Sequence, residues 1–139
     1  PFPSNVWVGV SLPAGHLMSE TGGARALKSY LKQMTKIEAG IRFMSVEPLW
    51  FDASRVFQEW LETNESLPFE WIIIGAATNG RKAYQPDPAW VENLVAVMEE
   101  QKIPIFFKGN LVWPTWREEF PASLEPVMLE THYMQEITV

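Results

Sequence analysis

Ile41-Arg42-Phe43-Met44-Ser45-Val46-Glu47-Pro48-Leu49 is the stretch whose reading decides the fold. Read as an extended strand, it turns Ile41, Phe43 and Ser45 to one side and Arg42, Met44 and Val46 to the other. The run stops at Glu47-Pro48, where the proline forces the residue before it out of helical geometry. A carboxylate is thereby fixed at the end of a short apolar strand. Three other segments share this form, each a brief apolar run that ends in Gly, Ser or Lys: Asn5–Leu12, Trp71–Ile74 and Ile105–Lys108. The unbroken Ile72-Ile73-Ile74 lacks alternation, as expected of a strand covered on both faces in a parallel sheet.

The sequence between these runs has helical spacing. From Thr21 to Thr35, Ala24, Leu27, Tyr30 or Leu31, and Met34 recur on one side, and the Gly22-Gly23 pair predicts an ordered start at or after it. Asp52 is the expected N-cap of a second helix whose stripe is Val56, Phe57, Trp60 and Leu61, with Asn64 as its stop. Asp87-Pro88 opens a third helix carried by Val91, Leu94, Val95 and Met98 to about Gln101. The segment through Gln85 reads as a polar loop. Past Gly109 the pattern loosens, and Val127-Met128-Leu129 is a further strand or short helix.

Strand centres near residues 8, 44, 73 and 106 give units of about 30 residues, the size of a βαβ element. Strands alternating with helices imply a parallel sheet with right-handed crossovers. Such a sheet is either open and doubly wound or a piece of a (βα)8 barrel, which takes about 250 residues.

Bulk properties narrow the function classes. At 139 residues the chain makes one domain. Its apolar fraction of 47% and aromatic fraction of 13% belong to a folded protein. A net charge of −6, with no run of basic residues beyond two, argues against nucleic-acid binding and against anionic membrane surfaces. No apolar run nears the roughly 20 residues that span a bilayer, and no signal sequence opens the chain, so a cytoplasmic protein is the plain reading. With no cysteine there is no disulfide, thiolate metal site, thiol nucleophile or cysteine-held cluster within these residues. Neither a cofactor nor a metal is expected: His16 and His132 are far apart and no pair has ligand spacing.

Five blocks occur in the same order in a familiar group: Asn5–Ser11, Ile41–Leu49, Trp71–Gly75, Ile105–Lys108 and Arg117–Pro121. On them the chain resembles the C-terminal half of the phage-associated, radical-SAM-like barrel proteins of uncharacterised function. Ser45-Val46-Glu47-Pro48-Leu49 is the most specific block. The resemblance implies α/β architecture with four βα units in a parallel sheet, half of a (βα)8-type barrel over residues 1–139, with 122–139 a candidate C-terminal extension. The family's other half carries clustered cysteines for an iron–sulfur cluster and has no counterpart here. Where the family has a Gly-Gly-Glu-Ser-Gly loop this chain has Gly75-Ala76-Ala77-Thr78-Asn79, and where it has Gln-Trp-Gly this chain has Gly109-Asn110-Leu111.

Parallel β/α folds bind ligands beyond the carboxyl ends of their strands. Ser11, Glu47, Gly75, Thr78, Asn79 and Lys108 are expected there, with Arg42 inside its strand. Glu47 is a candidate general base or anchor, and Lys108 a candidate anion holder or imine former. The plain alternative for both is a salt bridge across the mouth. Gly75–Gly80 is a candidate phosphate cradle without a dinucleotide or P-loop fingerprint, so a flexible turn is the favoured reading. Ser11 and Ser45 lack a nucleophile-elbow setting. Trp113, Trp116 and Phe120 are expected to stack a planar ligand or to cover a barrel end or subunit contact.

Open edges at the first and last strands, with an uncovered interior, predict a homodimer. The favoured function is a self-associating or small-ligand-binding domain without radical-SAM activity. The alternatives are an enzyme using Glu47 and Lys108 on a small anionic metabolite, and an interaction module that completes a barrel with a partner.

Overall fold

The structure is a computed structural model that describes residues 1–12 and 19–122. Its elements run β1 (Trp7–Ser11), α1 (Glu20–Met34), β2 (Ile41–Val46), α2 (Ser54–Leu61), β3 (Trp71–Ile74), β4 (Ala77–Asn79), β5 (Lys82–Tyr84), α3 (Pro88–Glu100) and β6 (Ile105–Phe107). The main sheet has the order β1-β2-β3-β6, and every neighbouring pair is parallel. Strand order follows chain order without the reversal that marks a doubly wound sheet.

Pleating sorts the strand residues onto two faces. Register partners in parallel strands share a face, so Val10, Met44, Ile72 and Ile105 lie on one side with Val46, Ile74 and Phe107. All but Val10 of these are fully buried, in one cluster with Leu27, Leu31, Met34, Val56, Phe57, Val91, Leu94 and Met98 from the helices. Burying each such side chain contributes about 1.5–3 kcal/mol, which makes this side the core. None of Phe43, Ile73 and Phe106 on the other side belongs to that cluster. The described helices cover one face only.

Each helix start has a local cause. The Ser19 side chain accepts from Gly22 N at 3.2 Å, so α1 begins at Glu20, ahead of the glycine pair rather than after it. Gly23 is tolerated because Phe51 packs on it: a Cβ there would lie 2.3 Å from the ring. Asp87 accepts from Ala89 N at 2.9 Å with Pro88 at the first helical position. The N-cap of α2 is Ala53, without a side-chain cap bond, rather than the expected Asp52. Asp52 is buried one residue earlier, where it accepts from Ser54 N at 3.2 Å and from Asn93 Nδ2 at 3.0 Å and ties the start of α2 to α3. Asn64 Nδ2 donates to Trp60 O at 2.9 Å where α2 ends.

Two further expectations fail. The polar segment before Gln85 is an antiparallel hairpin, β4 against β5, with Gly80 at φ +60° as the first of its two turn residues. That conformation is what glycine supplies in tight hairpins. The last strand's edge is also not open. The chain reverses after Lys108 and returns alongside β6: Phe107 N donates to Arg117 O at 2.8 Å and Glu119 N to Ile105 O at 3.0 Å. Phe106 and Glu118 form an antiparallel bridge, and the Glu119 carboxylate takes Ile105 N at 3.1 Å. Among the described residues, only the β1 edge of the main sheet lacks a pairing strand. The expected element at Val127–Leu129 lies outside the described residues. No described helix is long and apolar enough to cross a membrane.

Candidate functional site

The rows of the helix-free face follow from the register. Gly9, Phe43 and Trp71 form one row, and Ser11, Ser45, Ile73 and Phe106 the next. Two residues further along each strand, the same count puts Glu47, Gly75 and Lys108 in a third row at the strands' carboxyl ends. Backbone bonds hold that row together: Gly75 N donates to Val46 O at 3.2 Å and Lys108 N to Ile74 O at 2.9 Å. Glu47 and Lys108 thus sit two strands apart with Gly75 between them.

The middle position has to be bare. Lys108 Nζ meets Glu47 Oε2 at 2.6 Å, and the Glu47 side chain crosses Gly75 to reach it. A Cβ on Gly75 would lie 2.8 Å from Glu47 Cγ and 3.1 Å from its Cδ. Glu47 is 23% exposed and Lys108 50%, so solvent and small solutes reach both. The geometry is a salt bridge across the carboxyl ends of the strands. The pair neutralises both charges, and a ligand that takes hold of one competes with its partner.

Below this polar row lies an aromatic floor centred on Trp71. Its ring centroid is 5.6 Å from Trp7, 5.9 Å from Phe43, 5.9 Å from Phe106 and 5.5 Å from Phe120. Trp71 Nε1 donates to Glu119 O at 2.8 Å, so the returning segment fixes the central ring. Such contacts add about 0.5–1.5 kcal/mol each beyond burial.

The other expected site residues divide. Ser11 and Ser45 are register partners on this same face, one row below Glu47, with Ser11 exposed and Ser45 buried. Thr78 and Asn79 are exposed on the β4 strand of the hairpin, with no polar contact to Glu47 or Lys108. Arg42 is elsewhere. It lies on the helix side near the amino-terminal end of β2, where Glu70 accepts from its guanidinium and from its backbone N at 2.7 Å. A carboxylate in the loop before β3, close behind the strand, is what claims it. The aromatic trio also separates: Phe120 joins the floor, Trp113 packs on Phe107 at 6.4 Å, and Trp116 is half exposed.

Asn110 is the residue that sequence reasoning missed. Its Oδ1 accepts from Ala76 N at 3.1 Å and its Nδ2 donates to Ala76 O at 2.7 Å, a two-point clamp on the loop after β3. Gln85 then holds the segment after β6: its Nε2 donates to Asn110 O at 2.9 Å and its Oε1 accepts from Val112 N at 2.8 Å. The hairpin returns the chain so that Gln85 reaches this point. No local spacing signals a contact between residues so far apart.

The profile of a family described as protein of unknown function (DUF5131) matches residues 1–133. This chain belongs to the DUF5131 family. No curated protein and no solved structure matches it. The iron–sulfur cluster implied by the barrel resemblance does not fit the DUF5131 chain, whose 139 residues supply no thiolate. Among its described residues no group of three or more His, Asp or Glu could hold a metal ion; His16 and His132 lie outside them. At the opposite end of the sheet, Glu99, Lys102, Pro104, Arg117 and Phe120 line an open groove of about 560 Å³. Arg117 there is engaged by Glu119 and Glu99, each at 2.6 Å. The hydrogen bond to Glu119, with help from Glu99 and against burial, holds its pKa above the ordinary value, so it stays charged.

Proposed function

We propose that this DUF5131 chain is a half-barrel domain that binds a small anionic ligand and associates with itself, without radical-SAM activity of its own. Four parallel strands in chain order with helices on a single face are what half of a (βα)8 barrel has. The resemblance to phage-associated radical-SAM-like proteins supports the same reading, and the absence of cysteine separates the chain from their chemistry. The observation that carries the ligand reading is the row Glu47–Gly75–Lys108, a reachable ion pair at the strands' carboxyl ends over an aromatic floor. Lys108 is the anchor for the anion. Glu47 releases it and turns to solvent.

A thermal-shift screen of small carboxylates and phosphates tests this on the wild type, Glu47→Gln and Lys108→Met. A ligand at 100 times its Kd adds about 2.7 kcal/mol. That gain should persist or grow in Glu47→Gln and vanish in Lys108→Met. Stabilisation that survives Lys108→Met, or none from any anion, refutes the assignment. Self-association rests on a second observation, the aromatic face that no described helix covers, and sedimentation equilibrium tests it.

A further inference from the structure

We propose that two copies of this chain join through the β1 edge, antiparallel, with Gly9 on the two-fold axis. The inference rests on the self-association reading and names its surface. Val6 O accepts from Gly40 N and Leu12 N donates to Ser45 O, so the even-numbered residues of β1 turn their backbone groups toward β2. Strand alternation then turns the N–H and C=O groups of Trp7, Gly9 and Ser11 outward. Among the described residues nothing pairs with that row.

Edge strands are normally guarded by charge, proline, a bulge or extreme shortness. Trp-Val-Gly-Val-Ser has no charge and no proline, and it pairs with β2 over all five residues without a bulge. The other edge of the same sheet is guarded by the returning Arg117–Glu119 segment. The contrast singles out β1.

The row is complementary to itself. Centred on Gly9, an antiparallel partner sets Gly9 against Gly9 and Trp7 against Ser11, each pair exchanging two hydrogen bonds. No like charges face each other along the strands. Gly9 brings no side chain to the axis, and the Phe43 ring already fills the space above it, 2.3 Å from where a Cβ would be. On the helix side the pairing draws two α1 helices together. Lys28 faces α2, bound to Glu59 at 2.6 Å, so the flank turned toward the axis carries Ala26, Tyr30 and Gln33. That flank is uncharged.

The full chain provides the test. Val8 and Val10 of opposite copies become non-hydrogen-bonded partners with Cα atoms about 4.5 Å apart, within disulfide reach. The chain has no other cysteine, so Val8→Cys/Val10→Cys should oxidise to a covalent dimer that reducing agent releases. Ser11→Pro removes an outward N–H and leaves the β1–β2 bonds intact; it should weaken dimerisation by about tenfold or more in sedimentation equilibrium. Should that variant not fold, the crosslink decides alone. A dimer that neither crosslinks nor responds to Ser11→Pro overturns the edge proposal and leaves association through the aromatic face. A monomer up to submillimolar concentration overturns both.

Discussion

Replacing Gly75 by alanine tests the row geometry directly. A methyl group there would lie 2.8 Å from Glu47 Cγ and 3.3 Å from Asn110 Oδ1. The first distance is too short to persist, so Glu47 must swing away, and its path to Lys108 at 2.6 Å is lost. The backbone offers no objection, because Gly75 does not occupy the left-handed region. Alanine also restricts the unfolded chain, which by itself favours folding by about 0.4–1 kcal/mol. Against this stand overpacking at about 1–3 kcal/mol and a half-exposed ion pair worth less than about 1 kcal/mol. The net expectation is destabilisation by about 1–2 kcal/mol, or roughly 3–6 °C in Tm at this chain length.

Urea unfolding followed by tryptophan fluorescence measures it, with Gly75→Ala, Glu47→Ala and the double variant alongside the wild type. With Glu47 truncated the clash has no second atom, and Gly75→Ala should then be neutral or slightly stabilising. The cycle therefore predicts a coupling of about 1–2 kcal/mol. If Gly75→Ala costs as much in the Glu47→Ala background as alone, the strain comes from Asn110 or the strand itself. The account of a side chain laid across a bare middle strand would then be wrong.

Asn110→Leu removes both halves of the clamp on Ala76 and should destabilise by about 1–3 kcal/mol, with faster hydrogen exchange at Ala76 than in the wild type. Asp87→Ala deletes the cap of α3 and should cost about 1 kcal/mol in urea unfolding, largely recovered in Asp87→Ser. Gly23→Ala should lower stability by about 1–3 kcal/mol although alanine is the better helix former, because Phe51 occupies the space; Phe51→Ala should erase the difference. Lys108→Met should change stability by less than about 1 kcal/mol, since the lysine is half exposed, and a larger loss would mean that the pair is structural.

The parallel sheet was legible because β2, β3 and β6 are short apolar runs at regular intervals, and α3 because Asp87-Pro88 is a two-residue start signal. The start of α1 was misread because helix propensity counts Gly22 and Gly23 as weak, whereas tertiary packing under Phe51 uses the missing side chain. The hairpin could have been found: three residues, Gly80-Arg81, then three residues is the spacing of a two-residue turn. Glu47, Gly75 and Lys108 were placed at strand ends from sequence, but their common row needed the register, which no single strand encodes. Arg42 was already on the opposite face from Glu47 by alternation, but its partner could not be read, because Glu70 comes from another part of the chain. Asn110 and the closing of the β6 edge depend on contacts across a long reversal, where local patterns say nothing.

The Arg117–Glu119 segment fixes more than one border of the sheet. Chains with two sticky margins can add to one another without end, and fibres are the result. Here one margin is stoppered by the chain's own return, so growth through the remaining one consumes it. The proposed β1 contact would therefore stop at pairs, and polymerisation by this route would first require peeling Arg117–Glu119 from β6.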